Sequence, residues 1–253
     1  MDQTATRPAP ILQRTIPYGP RAPQRLPGIA PMAMEDWLPR DDAFAAQMAL
    51  RDRLIGTRRA AVLALDDSAR PAARELQDMV LALAWPGAGD AVTRPDGVRV
   101  PVDRDDPLAT LGRIAQQDFC ILQKPEGAEE HLLTGAVLCF PASWWLDEKF
   151  LRLLIGIHAP VAEYDADLAR RVQRLFDGIQ PGRPLWRFNA LWYDDPALHQ
   201  PRREGARRDP VDPATARYLR SEWQCLVRLP ETGAVVFSIH TYVLSRETVV
   251  GMA

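Results

Sequence analysis

Two apolar runs in the middle of the chain constrain the fold more than any other feature. Residues 119–123 and 131–140 flank a charged loop, 124–130, that contains one glycine. Runs of this length around such a loop predict an antiparallel hairpin. Because the second run is nearly continuous in apolar residues, we expect its strand to be covered on both faces. Pro141 should end that strand.

A second hairpin is predicted near the end of the chain. Residues 224–229 and 234–244 flank the turn sequence Pro-Glu-Thr-Gly at 230–233. Side chains alternate between the two faces of a strand. Ser238, His240 and Tyr242 therefore share one face of the last strand, and this polar face is a candidate pocket wall.

Helical spacing of apolar residues predicts helices over 42–55, from Pro71 onwards, after Ser143 and after Asp165. We expect inner faces formed by Leu76, Met79, Val80 and Leu83 in the second helix, and by Trp144, Leu151, Leu154 and Ile155 in the third. Helices that alternate with hairpins predict an α+β domain on a mostly antiparallel sheet. We expect an extended, proline-rich segment at residues 1–31 and a single domain at 32–253.

Composition argues against several classes of partner. Lysine and arginine number 31 against 33 acidic residues, a formal net charge of -2, which weighs against nucleic acid and anionic membranes. No apolar stretch is long enough for a signal peptide or a membrane span. The three cysteines lie in apolar, strand-like runs and are expected to be buried thiols in a reducing cytosol. We therefore expect a soluble, cytoplasmic protein.

The sequence contains no glycine-rich phosphate loop, no His-Glu-x-x-His and no Gly-x-Ser-x-Gly motif. Its four histidines do not cluster at the spacing of a multi-ligand metal site. A haem, in contrast, needs only one protein ligand.

His158 is the strongest single candidate for such a ligand. It lies in a Gly-Ile-His-Ala-Pro sequence, where Gly156 is expected to break a helix and Pro160 restricts the residue before it. The residues alone leave two roles open for His158: a ligand on a rigid elbow, or a cap at the end of the preceding helix. His131 and His199 lie beside charged or turn residues, so we expect them to be exposed.

Other candidates come from the second half of the chain. His240 and Tyr242 could line a pocket, although a hydrogen-bonded core histidine is the alternative. Glu222 could pair with a cationic substrate, or form a surface salt bridge with Arg220 or Arg217. Trp223 belongs to a group of aromatic residues that could enclose a flat ring or pack in the core.

Several segments of the sequence resemble the haem-dependent oxidative N-demethylase family. These segments, which span roughly residues 25–244, are Arg-Leu-Pro-Gly at 25–28, Trp37-Leu38, Ala-Ala-Arg-Glu-Leu at 72–76, Gln-Asp-Phe-Cys-Ile-Leu at 117–122, Val-Leu-Cys-Phe-Pro-Ala-Ser-Trp at 137–144, Ile-His-Ala-Pro-Val at 157–161, Trp-Arg-Phe-Asn at 186–189, Ser-Glu-Trp-Gln-Cys-Leu-Val-Arg-Leu-Pro at 221–230 and Phe-Ser-Ile-His-Thr-Tyr at 237–242. Their order and spacing together carry the resemblance.

The resemblance implies a PAS-like α+β fold that binds haem b through one histidine, which corresponds to His158 as the ligand of the iron. It also implies a monooxygenase reaction in which a small secondary amine such as dimethylamine is oxidised by O2 to methylamine and formaldehyde. Electrons would come from separate flavin or Fe–S reductase proteins. Glu222, Tyr242 and His240 are the candidate catalytic residues, and Trp223 is a candidate for the substrate pocket.

The chain departs from the family pattern at two of these positions. The pattern leads us to expect arginine where Trp223 and His240 stand, and a helical segment with a lysine-containing motif after the last strand. Two further functions therefore stay open: a non-catalytic PAS-like sensor of haem or a small ligand, and a haem-free structural subunit of an oxidase complex.

Overall fold

The computed structural model describes residues 9–20, 28–158, 166–206 and 209–252. This part of the chain contains a seven-stranded antiparallel sheet and a separate two-stranded ribbon. The strands of the large sheet, in spatial order, are β1 (Ala30–Pro31), β7 (Leu185–Tyr193), β8 (Tyr218–Arg228), β9 (Val235–Ser245), β5 (Asp118–Gln123), β6 (Leu132–Val137) and β2 (Leu63–Leu65). The ribbon pairs β3 (Ala91–Thr93) with β4 (Arg99–Pro101). Both predicted hairpins, β5–β6 and β8–β9, are confirmed.

Helices flank this sheet, which confirms the predicted α+β class. They are α1 (Phe44–Thr57), α2 (Arg59–Val62), α3 (Arg70–Ala84), α4 (Pro107–Ile114), α5 (Leu146–Lys149), α6 (Leu154–His158), α7 (Ala166–Gly178) and α8 (Arg246–Gly251). Within the described ranges, no helix has both the length and the apolar character that crossing a bilayer requires.

The register of β7, β8 and β9 defines two faces of the sheet. Ser221 lies opposite Tyr242, and Trp223 lies opposite His240, on what we call the Tyr242 face. We call the opposite side of the sheet the Glu222 face. One row across the three strands on this face contains Asn189, Glu222 and Thr241. Side chains of neighbouring residues in a strand point to opposite sides, so Glu222 and Trp223 face opposite ways.

Different helices cover the two faces. Residues of α1, α3 and α4 pack with Phe119, Ile121 and Val236, which lie on the Tyr242 side, in the main apolar cluster. Residues of α6 and α7 pack with Leu226 and Ile239, on the Glu222 side, in a second cluster. The sheet therefore separates two apolar layers, and α6 belongs to the layer on the Glu222 side.

The segment after Pro141 differs from the single helix that we predict there. The chain forms two short helices, α5 and α6, and Leu151 and Ile155 are exposed rather than part of an inner face. The physical reason is competition for backbone hydrogen bonds: the Leu151 N–H donates to the Leu133 carbonyl at 2.9 Å, and the Leu133 N–H donates to the Arg152 carbonyl at 3.1 Å. These bonds extend the edge of β6 and interrupt the helix.

Two finer predictions are also wrong. The helix α6 continues through Gly156 to His158, so Gly156 does not break it. Leu83, predicted on the inner face of α3, is 40% exposed, whereas Leu76 and Val80 are buried as predicted.

The first part of the chain contacts the sheet. The Gln13 N–H donates to the Val243 carbonyl at 2.9 Å, and the Val243 N–H donates to Gln13 Oε1 at 2.8 Å. Residues 9–20 thus supply hydrogen bonds to an edge of β9 that β5 leaves free. The domain boundary that we place after residue 31 stays a prediction.

The three cysteines are buried and free, as the sequence predicts. Burial raises the pKa of Cys139 and of Cys225 to about 12, and it also raises the pKa of Cys120. Thiols in this state are protonated at neutral pH and chemically inert.

Candidate functional site

Glu222 is held in a fixed position at the centre of the Glu222 face. Its Oε2 accepts hydrogen bonds from Asn189 Nδ2 at 3.1 Å and from Gln224 Nε2 at 3.0 Å. Its Oε1 lies 3.6 Å from Arg220 Nε, beyond hydrogen-bond distance. The side chain of Glu222 is 13% exposed. Two neutral amides and an ion pair with Arg220 therefore orient this carboxylate, as the salt-bridge alternative predicts, and Oε1 accepts no hydrogen bond from a described residue.

Buried polar atoms without a hydrogen-bond partner concentrate on this same face. Four such side-chain atoms occur among the described residues, and three of them, Arg187 Nε, Arg220 Nε and Thr241 Oγ1, belong to the Glu222 face. Buried polar atoms in proteins are nearly always hydrogen-bonded, and exceptions point to a bound water, ion or ligand. The Glu222 face thus has the chemistry of a polar binding surface.

Arg187 gives this surface a positive charge beside the carboxylate. It lies opposite Gln224, one row from Asn189 and Glu222. Burial lowers the pKa of Arg187, and the negative charge of Glu222 opposes part of that change. A cation and an anion therefore lie in adjacent rows of the sheet without a direct ion pair.

The helix α6 brings its C-terminal end to the Glu222 side of the sheet. Leu154 and Ile157 of α6 are buried in the cluster that contains Leu226 and Ile239. His158 is the last residue of this helix, and its side chain lies outside the described residues. Lys149 Nζ donates to the Ile157 carbonyl at 2.9 Å, which fixes the backbone immediately before His158.

The Tyr242 face is a closed, hydrogen-bonded layer. His240 is 1% exposed; Gln117 Nε2 donates to its Nδ1 at 2.9 Å, and its Nε2 lies 2.8 Å from Asp41 Oδ2. Burial alone would raise the pKa of Asp41, but hydrogen bonds from His240, Gln116 and Gln13 keep it below its usual value. Asp41 accepts from Nε2–H, so both ring nitrogens of His240 are hydrogen-bonded. These contacts favour the core-histidine alternative over a catalytic role.

Aromatic side chains complete the Tyr242 face. Tyr18 stacks on Phe188 at 4.4 Å and meets Tyr242 edge-on at 5.9 Å, between ring centroids. Trp223 stacks on Trp186 at 4.5 Å, and its Nε1 donates to Cys225 Sγ at 2.8 Å. Burial raises the pKa of both tyrosines, which therefore stay neutral. Trp223 and Tyr242 thus pack on the side of the sheet opposite Glu222.

One known protein family matches more than half of the chain. Residues 89–251 match the family described as haem-dependent oxidative N-demethylase, alpha subunit-like. The chain belongs to this family. The matched region contains β5 to β9 with both faces of the sheet, and it includes Arg187, Glu222 and His158.

For this family member, the structure separates the predicted site residues into two groups. Glu222 and the helix that ends at His158 lie on one side of the sheet, whereas Trp223, His240 and Tyr242 lie on the other. Among the described residues, no group of three or more His, Cys, Asp and Glu side chains could hold a metal ion.

Sequence reasoning missed the neighbours that make the Glu222 face polar. These are Arg187, Asn189, Gln224 and Thr241. A partial signal exists, because Arg187 and Asn189 alternate within the Trp-Arg-Phe-Asn segment of the family resemblance. That signal identifies the polar face only once this segment is known to be a strand that pairs in register with β8.

The other two histidines are not the exposed residues that we predict. His131 is 2% exposed, and Gln173 Nε2 donates to its Nδ1 at 2.8 Å. His199 is half-buried, and its Nδ1–H donates to the Cys139 carbonyl at 2.8 Å. The reason in both cases is long-range packing, by α7 on His131 and by the segment after Tyr193 on the end of β6.

Proposed function

We propose that this protein is a haem-binding subunit that removes a methyl group oxidatively from a small secondary amine of the dimethylamine type, with O2, giving a primary amine and formaldehyde. The observation that carries the proposal is the Glu222 face. It combines an oriented carboxylate and a guanidinium whose Nε has no partner among the described residues, on the same side of the sheet as the helix that ends at His158. Membership of the family supports it.

The residues present fit a haem. Haem b is a flat apolar ring with two carboxylates at one edge, so its site needs an apolar surface and a positive charge. Leu185 and Phe237 are half-buried on the Glu222 side, and Arg187 lies on the same face with its Nε unpartnered. His158 would be the ligand of the iron, since one imidazole is sufficient. Bound there, the haem would supply the activation of O2 and the oxidation of the methyl group.

The chain's own contribution is recognition of the amine. A dialkylammonium ion carries one positive charge and two N–H donors, and Glu222 Oε1, which lies 3.6 Å from Arg220 Nε and accepts no hydrogen bond from a described residue, would accept one of them. Asn189 and Gln224 hold Oε2, so the carboxylate cannot turn away when the amine arrives. Fixed acceptors of this kind orient a substrate and lower the entropy cost of binding it.

The description of the family as alpha subunit-like supports the existence of partner chains. We propose that separate proteins carrying flavin or Fe–S groups deliver the electrons that the reaction with O2 consumes.

The absorption spectrum of the full chain, purified after expression with haem available, tests the proposal. We expect a Soret band in the wild type, its loss or a clear shift in His158→Ala, and an unchanged band in the control His199→Ala. Formaldehyde should form from dimethylamine in the presence of O2 and a reductant. A wild-type protein without a Soret band, or a band that His158→Ala leaves unchanged, would contradict the haem assignment.

A further inference from the structure

Arg187 is a charged group for which the described part of the protein supplies no partner. Its Nε is buried and makes no hydrogen bond. No ion pair or hydrogen bond joins its guanidinium to any described residue, and its nearest charged influence is Glu222. A guanidinium presents five N–H donors, and removing it from water without replacing those bonds is unfavourable.

Three other arginines with little exposure show how this chain can satisfy such a group. Arg51 donates to three backbone carbonyls and to Asp118. Arg94 pairs with Asp52 and Asp96 and donates to the Arg113 carbonyl. Arg228 donates to three carbonyls. Arg187 differs from all of them, although it lies in a regular strand where its neighbours are well ordered in register.

Glu222 cannot act as the missing partner without giving up its own bonds. Its Oε2 is held by Asn189 and Gln224, and its Oε1 is directed toward Arg220 at 3.6 Å. Among the described residues no acidic side chain therefore satisfies Arg187, and an anionic ligand would supply the missing charge. Since a guanidinium fork matches a carboxylate in shape and can bind it through two parallel hydrogen bonds, a carboxylate is the best-matched group.

We propose that Arg187 binds a carboxylate of the ligand that occupies the Glu222 face. The inference rests on the proposed function, because that function supplies the ligand. The carboxylate has two possible sources of the same chemistry: a propionate of haem, or the carboxylate of an N-methylated amino acid whose ammonium group meets Glu222. In either case an arginine whose Nε has no partner among the described residues would recognise an anion in the bound state.

Two variants make the role of Arg187 measurable in the haem-free protein. Arg187→Met retains the length of the apolar stem and removes the charge, and Arg174→Met removes an exposed arginine of α7 as a matched control. Because Arg187 is half-buried and its Nε has no partner among the described residues, Arg187→Met should unfold at the same temperature as the wild type or at a higher one. A clear fall in its midpoint, absent from Arg174→Met, would show that Arg187 has a structural partner and would overturn the inference.

Titration of the haem-free proteins with haem and with haem dimethyl ester tests the first source. We expect the wild type to bind haem at least about tenfold more tightly than the ester, equivalent to roughly 1.4 kcal/mol. Arg187→Met should bind both compounds with the affinity that the wild type has for the ester.

Titration of the haem-loaded proteins with dimethylamine and with N,N-dimethylglycine, followed by the shift of the Soret band, tests the second source. Weaker binding of N,N-dimethylglycine alone in Arg187→Met, with haem affinity unchanged, assigns the guanidinium to the substrate. If Arg187→Met alters neither comparison, the inference is wrong and the proposed function stands. If the wild type takes up neither haem nor its ester, both are wrong.

Discussion

At the scale of single residues, Glu222 is the side chain that we propose to bind the amine. Replacing it by glutamine keeps the shape and the bonds from Asn189 and Gln224 but removes the charge and presents an N–H₂ group toward an incoming ammonium. In haem-loaded protein, we expect the dissociation constant of dimethylamine to rise at least about tenfold, close to 1.4 kcal/mol.

The spectral titration that gives this constant has a matched control in Glu129→Gln, an exposed carboxylate in the β5–β6 loop. The control should bind dimethylamine as the wild type does. Equal dissociation constants for Glu222→Gln and the wild type would remove Glu222 from the amine site.

The residue scale also shows why the site could be predicted only in part. Alternation along β9 was sufficient to place His240 and Tyr242 on one face and Thr241 on the other, and the structure confirms that division. The sequence does not say which face is covered, because the cover comes from distant segments: Tyr18, Asp41 and Gln117 close the Tyr242 face. Polar residues on a strand therefore indicated a pocket where the fold builds a hydrogen-bonded core.

At the scale of elements, the docking of α7 depends on one neutral histidine. Gln173 of α7 accepts from the His131 backbone N–H at 3.3 Å through Oε1, so its amide nitrogen faces the imidazole and donates to Nδ1 at 2.8 Å. The ring also packs 5.4 Å from that of Phe176, between centroids. An imidazole that receives a hydrogen bond at Nδ1 must be unprotonated there.

Acidification should therefore loosen α7. Burial lowers the pKa of His131 by more than the negative charge of nearby Asp177 raises it. In the pH window between the lowered pKa of His131 in the folded protein and its value of about 6.5 in the unfolded chain, His131 is protonated in the unfolded chain and neutral in the folded protein. The contribution of His131 to the free energy of unfolding is thus present above about pH 6.5 and falls as the pH drops through that window.

Urea unfolding at pH 7.5 and at pH 5.5 measures this contribution. The loss of stability on acidification should be smaller in His131→Leu than in the wild type, while His199→Leu should lose as much as the wild type. An identical loss in all three proteins would show that protonation of His131 does not affect the fold.

Elements with a strong local pattern were predictable, and those set by distant partners were not. The helices α1 and α3 show apolar spacing and the hairpins show turn residues, so both follow from short stretches of sequence. The strand β7 mixes aromatic and charged residues and becomes a strand because β1 and β8 pair with its two edges. In the same way, β6 determines where α5 ends and α6 begins.

At the scale of the whole molecule, one buried ion pair joins the helical layer to the sheet. Arg51 of α1 and Asp118 of β5 lie 2.7 Å apart, N to O, with side chains 0% and 1% exposed. Asp118 also accepts from the backbone N–H groups of Cys139 and Phe140 at 2.7 and 2.8 Å. The pair therefore connects α1, the start of β5 and the segment that follows β6.

Removing one charge of this pair should destabilise the whole protein. Asp118→Asn leaves the Arg51 guanidinium buried without its counter-charge, and loss of one partner of a buried pair costs about 3–5 kcal/mol. Urea unfolding should show a lower midpoint, with the slope unchanged if the unfolded state is unaffected. Asp67→Asn, which removes an exposed partner of Arg70, should leave the midpoint nearly unchanged.

The double variant Arg51→Met/Asp118→Leu distinguishes the effect of an unpaired buried charge from the effect of losing the hydrogen bonds that Asp118 accepts from residues 139 and 140. If burial of an uncompensated charge causes the loss, removing both charges should restore part of the stability that Asp118→Asn loses. If the hydrogen bonds to residues 139 and 140 are what matter, the double variant should be no more stable than Asp118→Asn. A loss in Asp118→Asn no larger than that in Asp67→Asn would show that the pair does not hold the helical layer on the sheet.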